Sequence, residues 1–191
     1  MNDKAQLHTL EGVAAATIML IIIIYVMDAT SITPLTSSTA SVHVETDLLA
    51  IGQDILNVLD YAETGYNSKL KHDIIQWDGN EYVWNGTSYV EEGNTQNLLA
   101  NNLTQLMSTI LVGEGIAHNV DITYLVNNGT SYGSKRMIYN GDASNNAVIV
   151  SRKIVLHDSD LNSTQYTGPI SDIDSTNLYN IVDIKLTLWR M

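Results

Sequence analysis

The sequence predicts an α+β protein in which a long N-terminal hydrophobic helix, kinked near Pro34, precedes a globular domain with helices and an antiparallel sheet. Residues 12–27 carry no charge, which is typical of a helix buried in an apolar environment. Between residues 44 and 62, apolar side chains recur every three or four positions, as in an amphipathic helix. The C-terminal third alternates apolar and polar residues, which is typical of half-buried strands.

The first predicted element is a hydrophobic helix over residues 6–33. At a rise of about 1.5 Å per residue, the charge-free run of residues 12–27 is slightly shorter than a hydrocarbon core of about 30 Å. Counting from Leu7 makes the helix long enough to span it. Glu11 stands at the start of the apolar run, where a carboxylate costs on the order of a few kcal/mol unless it finds a partner. The sequence therefore predicts a function for Glu11.

The head domain is predicted to cover residues 34–191. Pro34 disfavours helical geometry at the residue before it and suits the first turn of a new helix. The amphipathic helix that follows presents one apolar face and is expected to end near Gly65, which can close a helix in a left-handed conformation. Its apolar face consists of Val44, Leu48, Ile51, Ile55, Leu59 and Ala62.

Short strands and one more helix are predicted for the rest of the head. Residues 74–90 read as a small meander, because Asp-Gly and Asn-Gly dipeptides between the apolar segments favour tight hairpin turns. Residues 98–111 have helical spacing and are followed by Gly-Glu-Gly. Strands are expected near residues 120–126, 135–139, 147–156 and 182–188, with one apolar and one polar face.

Composition excludes several classes of function. The 191 residues include nine Lys and Arg against 21 Asp and Glu, giving a net charge of −12, whereas nucleic-acid binding needs a clustered positive field. The five histidines lack metal-ligand spacing, and no cysteine is present to complete a zinc site. No nucleophile, phosphate-binding or dinucleotide motif occurs. We therefore predict no catalytic residue, no metal, no cofactor and no nucleic-acid partner.

The combination of a short leader, a Glu before an apolar helix and a β-rich head resembles type IV prepilins. Three sequence blocks make the chain similar to a family of small archaeal pilin-like membrane proteins. They are residues 8–12 (His-Thr-Leu-Glu-Gly), residues 33–36 (Thr-Pro-Leu-Thr) and residues 182–191, which end in Trp-Arg-Met. These blocks lie at both ends of the chain.

The resemblance implies a structural subunit, major or minor, of an archaeal type IV pilus-like surface filament. Residues 1–5 would then be a leader that a prepilin peptidase removes between Ala5 and Gln6. Glu11 would neutralise the new α-amino group of an adjoining subunit during assembly, where a low dielectric strengthens the attraction. The implied partners are identical or related pilin subunits, the membrane and the pilus assembly machinery.

An alternative remains open, in which the chain is a single-pass membrane-anchored extracellular domain with an adhesive or binding role and no polymerisation. Lys4 before the apolar run and Asp28 after it favour an external C-terminal domain in either case. Ten tyrosines and three tryptophans could form adhesive hairpins, although such residues in sheets are more often core or cross-strand pairs.

Four glycosylation sequons are present, which would mark an external glycoprotein. Their acceptors are Asn85, Asn102, Asn128 and Asn162. About three such sequons would arise by chance in a chain this rich in Asn, Ser and Thr, so their positions are more informative than their number. Asn85 and Asn128 fall in predicted turns.

Overall fold

The computed structural model describes residues 11–24, 39–161, 166, 168–174 and 176–190. The chain divides into two compact units, residues 1–42 and residues 43–191. In the first unit, residues 11–24 are helical, and we call this segment the apolar helix. The predicted kink near Pro34 lies outside the described residues.

Three further α-helices follow: α1 (Thr39–Asp60), α2 (Lys69–Gln76) and α3 (Asn102–Ile110). Of the seven strands, three lie between α2 and α3 and four follow α3. The strands are β1 (Tyr82–Trp84), β2 (Tyr89–Glu91), β3 (Asn94–Leu98), β4 (Ile116–Val126), β5 (Ser131–Ile138), β6 (Val148–His157) and β7 (Leu178–Arg190). Short 3-10 turns at Val112–Glu114 and Asp158–Asp160 complete the described elements.

All seven strands form one sheet in the order β3-β2-β1-β5-β4-β7-β6. The neighbours pair antiparallel except β1 and β5, which run parallel and meet at Tyr82 and Ile138. The backbone N–H of Tyr139 extends this junction by donating to the Tyr82 carbonyl oxygen at 2.9 Å. The prediction of a purely antiparallel sheet is therefore wrong, because the β1–β2 hairpin joins the longer strands through a parallel contact.

The core lies between the helices and one face of the sheet. Helix α1 packs on β6 and β7 with very little space, since a Cβ atom built on Gly52 would lie 2.7 Å from Val150 Cγ2 and 2.9 Å from Leu188 Cδ1. Glycine at position 52 therefore allows the close approach of helix and sheet. The buried side chains of α1, β4, β6 and β7 include Leu48, Ile55, Leu56, Leu59, Val120, Ile122, Val150, Ile154, Val182, Ile184, Leu186 and Leu188.

The two faces of β7 differ as the alternation predicts. Its apolar residues at 182, 184, 186 and 188 are fully buried. On the other face, Asp183 pairs with Lys153, and Lys185 lies 3.2 Å from the Asp121 carboxylate. One face of the sheet therefore carries the core, and the other is covered by charged and polar side chains.

Two segments differ from their predicted structure. Residues 74–77 were expected to be a strand, but 74–76 complete helix α2, whose N-cap Ser68 accepts a hydrogen bond from the Lys71 backbone N–H at 3.1 Å. The helix predicted from residue 98 begins only after Asn101, which caps α3 by accepting from the Thr104 backbone N–H at 2.9 Å. In both cases the position of a polar N-cap residue determines where the helix begins.

Candidate functional site

The apolar helix is the first candidate site, because its side chains are exposed in spite of their character. Eight large apolar residues within it are between 49 and 68% exposed. They are Val13 and the unbroken run Ile18, Met19, Leu20, Ile21, Ile22, Ile23 and Ile24. An exposed apolar surface of this extent marks an interaction site, since contact with water costs free energy in proportion to the apolar area.

The described part of the chain contains no helix that is both long enough and apolar enough to cross a membrane. This finding corrects three predictions: the long hydrophobic helix in the fold class, the transmembrane helix, and the localisation as a single-pass membrane protein.

The residues predicted to act in processing and assembly are only partly described. Ala5 and Gln6 lie outside the described residues. Glu11 is the first described residue of the apolar helix, and its side chain is exposed. The proposed pairing of Glu11 with an amine of another subunit stays a prediction.

The sequons occupy different environments. Asn85 is exposed in the β1–β2 turn, where its Oδ1 accepts from the backbone N–H groups of Thr87 and Ser88. Asn128 is exposed in the β4–β5 turn with a left-handed φ of 55°. Asn102 is half-buried at the start of α3, and Asn162 lies outside the described residues. Attachment of a glycan at any of them stays a prediction.

The four histidines in the described part of the chain do not gather into a metal site. Among the described residues, no group of three His, Cys, Asp or Glu side chains is placed to hold a metal ion. His43 and His157 each lie beside a carboxylate on the surface, whereas His118 is 2% exposed. The Tyr89 hydroxyl lies 2.7 Å from His118 Nε2, and the Ile116 carbonyl oxygen lies 3.4 Å from Nδ1.

Burial lowers the pKa of His118 to about 4, and its hydrogen bond to the Ile116 carbonyl oxygen opposes this shift only in part. Because the folded pKa lies below the ordinary value of about 6.5, the unfolded chain binds more protons between these two values. The stability contributed by neutral His118 is complete above about pH 6.5 and is lost as the pH falls towards 4.

We expect His118 to account for a loss of about 3 kcal/mol in unfolding free energy between pH 7 and pH 4. Urea unfolding of the full chain at several pH values measures it. The double variant His118→Leu/Tyr89→Phe removes both polar partners and should flatten this part of the profile. His72→Leu, which replaces an exposed histidine, is the control substitution. Equal slopes for the wild type and the double variant would contradict the assignment.

A second candidate site is a polar cleft of about 510 Å³ between the β1–β2 hairpin, the end of α2 and the first turns of α3. We call it the polar cleft; its lining includes His72, Gln76, Trp84, Asn101, Gln105 and Ser108. The floor is rigid because Asp73, which is 1% exposed, joins the two helices. Its carboxylate accepts from Asn102 Nδ2 and from the Leu103 backbone N–H, each at 2.7 Å.

The sequence reasoning missed the polar cleft. Its residues come from three separated segments, and none of them forms a spacing that indicates a binding site. The one available signal was the set of amide and hydroxyl side chains interspersed with apolar residues in residues 101–108 (Asn-Asn-Leu-Thr-Gln-Leu-Met-Ser). Of the tyrosines in predicted hairpins, Tyr82 and Tyr89 are each 2% exposed, and Tyr89 borders the cleft from the core side. Tyr132 on β5 is 78% exposed.

Comparison with known proteins places the chain in a family without an assigned activity. A family model described as "Family of unknown function (DUF7288)" matches residues 4–188. The protein belongs to this family, since the match covers nearly the whole chain. It is also similar to an uncharacterized protein of Archaeoglobus fulgidus, with 29% identity over all of this chain and 94% of the relative. No solved structure matches the chain. Neither match names a pilin, a pilus or a filament.

Proposed function

We propose that this protein is a non-catalytic structural subunit of an archaeal type IV pilus-like surface filament. The observation that supports this most directly is the apolar helix, whose eight large apolar side chains are exposed along its length. The resemblance of residues 8–12 and of the chain ends to archaeal pilin-like proteins supplies the class of assembly.

The physical argument concerns what can cover such a helix. Fully burying one Leu, Ile, Val or Met side chain is worth about 1.5–3 kcal/mol, so a run of them favours association strongly. Identical helices packed side by side offer matching apolar surfaces on every side, and several copies can cover faces that one partner would leave in water. The proposed partner is therefore another copy of the same helix or that of a related subunit.

The other proposed partners follow from the assignment to a type IV pilus-like filament. A prepilin peptidase would cut between Ala5 and Gln6, and assembly machinery would add the processed chain to a growing polymer. The amine created at Gln6 would meet Glu11 of an adjoining copy, and this pairing would fix the axial register of neighbouring helices.

The test introduces a charge into the proposed interface. In Ile21→Asp, a carboxylate would be buried between helices at a cost of several kcal/mol, so we expect assembly to be lost. Val58→Asp is the matched control, because Val58 on α1 is 61% exposed and Ile21 is 60% exposed. Sedimentation velocity and electron microscopy of the chain that begins at Gln6 report the assembled fraction. A wild-type chain that stays monomeric, or equal assembly of both variants, would refute the proposal.

Processing and register are tested separately on material from the native host. N-terminal sequencing should find a chain beginning at Gln6. Glu11→Ala should greatly reduce incorporation into the polymer without changing the circular dichroism of the protein. Normal incorporation of Glu11→Ala would remove the pairing from the proposal, even if the apolar contacts stand.

A further inference from the structure

The polar cleft has the character of a binding site for a neutral ligand. Within the described part of the chain, no lysine or arginine lines it. Its one carboxylate, that of Asp73, already accepts two hydrogen bonds from α3. His72 is the one ionisable base among the lining residues, so a phosphate or another anion would find no permanent positive charge here, and a cation would find no free carboxylate.

Several polar groups around the cleft are free to bind a ligand. The carboxamides of Gln76 and Gln105 and the hydroxyl of Thr87 have no hydrogen-bond partner among the described residues. Gln76, Thr87 and Gln105 are also exposed, so their side chains are accessible at the cleft. Carboxamides and hydroxyls both donate and accept, which suits a ligand whose own groups do the same.

Trp84 adds an aromatic wall to this polar lining. Its ring is half-buried and is held by the cross-strand partner Tyr89, with ring centroids 5.0 Å apart and an angle of 59° between the planes. Tyr89 is itself fixed by its contact with buried His118. The indole N–H has no partner in the described part of the chain, so the ring offers both an apolar face and a free donor.

We propose that the polar cleft binds a neutral saccharide. A sugar ring has apolar C–H faces that can lie against an indole, and its hydroxyl groups donate and accept like the amides of Gln76 and Gln105. The volume of about 510 Å³ falls in the range of small-molecule sites. This inference concerns the second unit alone and does not depend on the filament proposal.

The experiment uses saturation-transfer NMR on the full chain with glucose, galactose, mannose and N-acetylglucosamine, each tested separately. At least one sugar should receive saturation, with a millimolar dissociation constant. Inorganic phosphate and adenosine should not displace the bound sugar. Their own binding is followed by the tryptophan fluorescence of the protein, which they should leave unchanged. If no sugar binds, or if adenosine or phosphate displaces the bound sugar, the assignment of a neutral saccharide is wrong.

Variants locate the site. Gln105→Ala should weaken sugar binding about fivefold, the expected effect of one lost hydrogen bond, and Trp84→Ala should weaken it more. Gln53→Ala is the matched control, because Gln53 is an exposed glutamine on another helix, α1. Since Trp84→Ala also changes packing against Tyr89, its circular dichroism must match the wild type. Unchanged binding in Gln105→Ala and in a folded Trp84 variant would overturn the proposal.

Discussion

Replacing Trp77 with alanine is expected to lower the free energy of unfolding by about 4 kcal/mol. Trp77 is 1% exposed and belongs to the core cluster, where it follows the last residue of α2. Its indole N–H donates to the Asn80 carbonyl oxygen at 2.8 Å. Truncation would leave a large cavity beside the helix and would also remove this hydrogen bond.

Trp77→Phe separates the two contributions. Phenylalanine keeps most of the apolar volume but cannot donate, so the loss should be smaller, about 1–2 kcal/mol. Guanidinium unfolding followed by circular dichroism measures both variants without relying on the tryptophan signal. A Trp77→Ala protein within about 1 kcal/mol of wild type would show that this part of the core collapses around the missing ring.

The second large effect is expected at Asn180, where leucine should cost about 3 kcal/mol. Asn180 is fully buried on β7. Its Oδ1 accepts from the Leu125 backbone N–H at 3.0 Å, while its Nδ2 donates to the carbonyl oxygens of Leu125 and Ser171 at 2.9 and 2.8 Å. The side chain thus continues the pairing of β4 with β7 and holds the preceding loop. Leucine would leave these backbone groups without partners.

Asn177→Leu is the control for this substitution. Asn177 lies three residues earlier, is exposed, and its side chain has no hydrogen bond within the described part of the chain. Its replacement should change the unfolding free energy by less than about 0.5 kcal/mol. A urea titration measures both variants. If Asn180→Leu lowers the unfolding free energy as little as Asn177→Leu does, the three hydrogen bonds of Asn180 contribute little to stability.

Helix α1 illustrates what local periodicity can predict. The spacing of Leu48, Ile55 and Leu59 indicated a helix with one apolar face, and these residues are each at most 2% exposed in the structure. The predicted helix, with apolar spacing over residues 44–62 and an end expected near Gly65, is observed as Thr39–Asp60 and therefore ends before that glycine. The prediction succeeded because the helical repeat and the burial of one face are properties of a continuous segment.

Helix α2 and strand β3 show where this reasoning fails. The short apolar run at residues 74–77 fits a strand as well as a helix, and only the spacing of Leu70 and Ile74 with the Ser68 cap could have favoured the helix. Strand β3 is polar and mostly exposed, so it has no periodicity to detect. It is a strand because β2 offers it a free edge, which is a property of the assembled sheet.

The two candidate sites also differ in how far the sequence alone could predict them. The apolar character of the apolar helix is visible in the charge-free residues 12–24 of the sequence, whereas the exposure of its side chains is seen only in the structure. The polar cleft is not visible, because Gln76, Trp84 and Gln105 are brought together only when α2, the β1–β2 hairpin and α3 pack. The membrane prediction relied on length counted from Leu7, and no described helix reaches the required length with the required composition.

By itself, the sequence determined the amphipathic helix α1, the apolar and polar faces of β7, and the apolar character of residues 12–24. Each of these depends on side chains that are close along the chain, so a local repeat specifies it. Only the tertiary structure decided the parallel contact of β1 with β5, the polar cleft, and the difference between buried Asn180 and exposed Asn177. The physical reason is that the solvation and hydrogen bonding of a polar side chain are set by distant segments that fold against it.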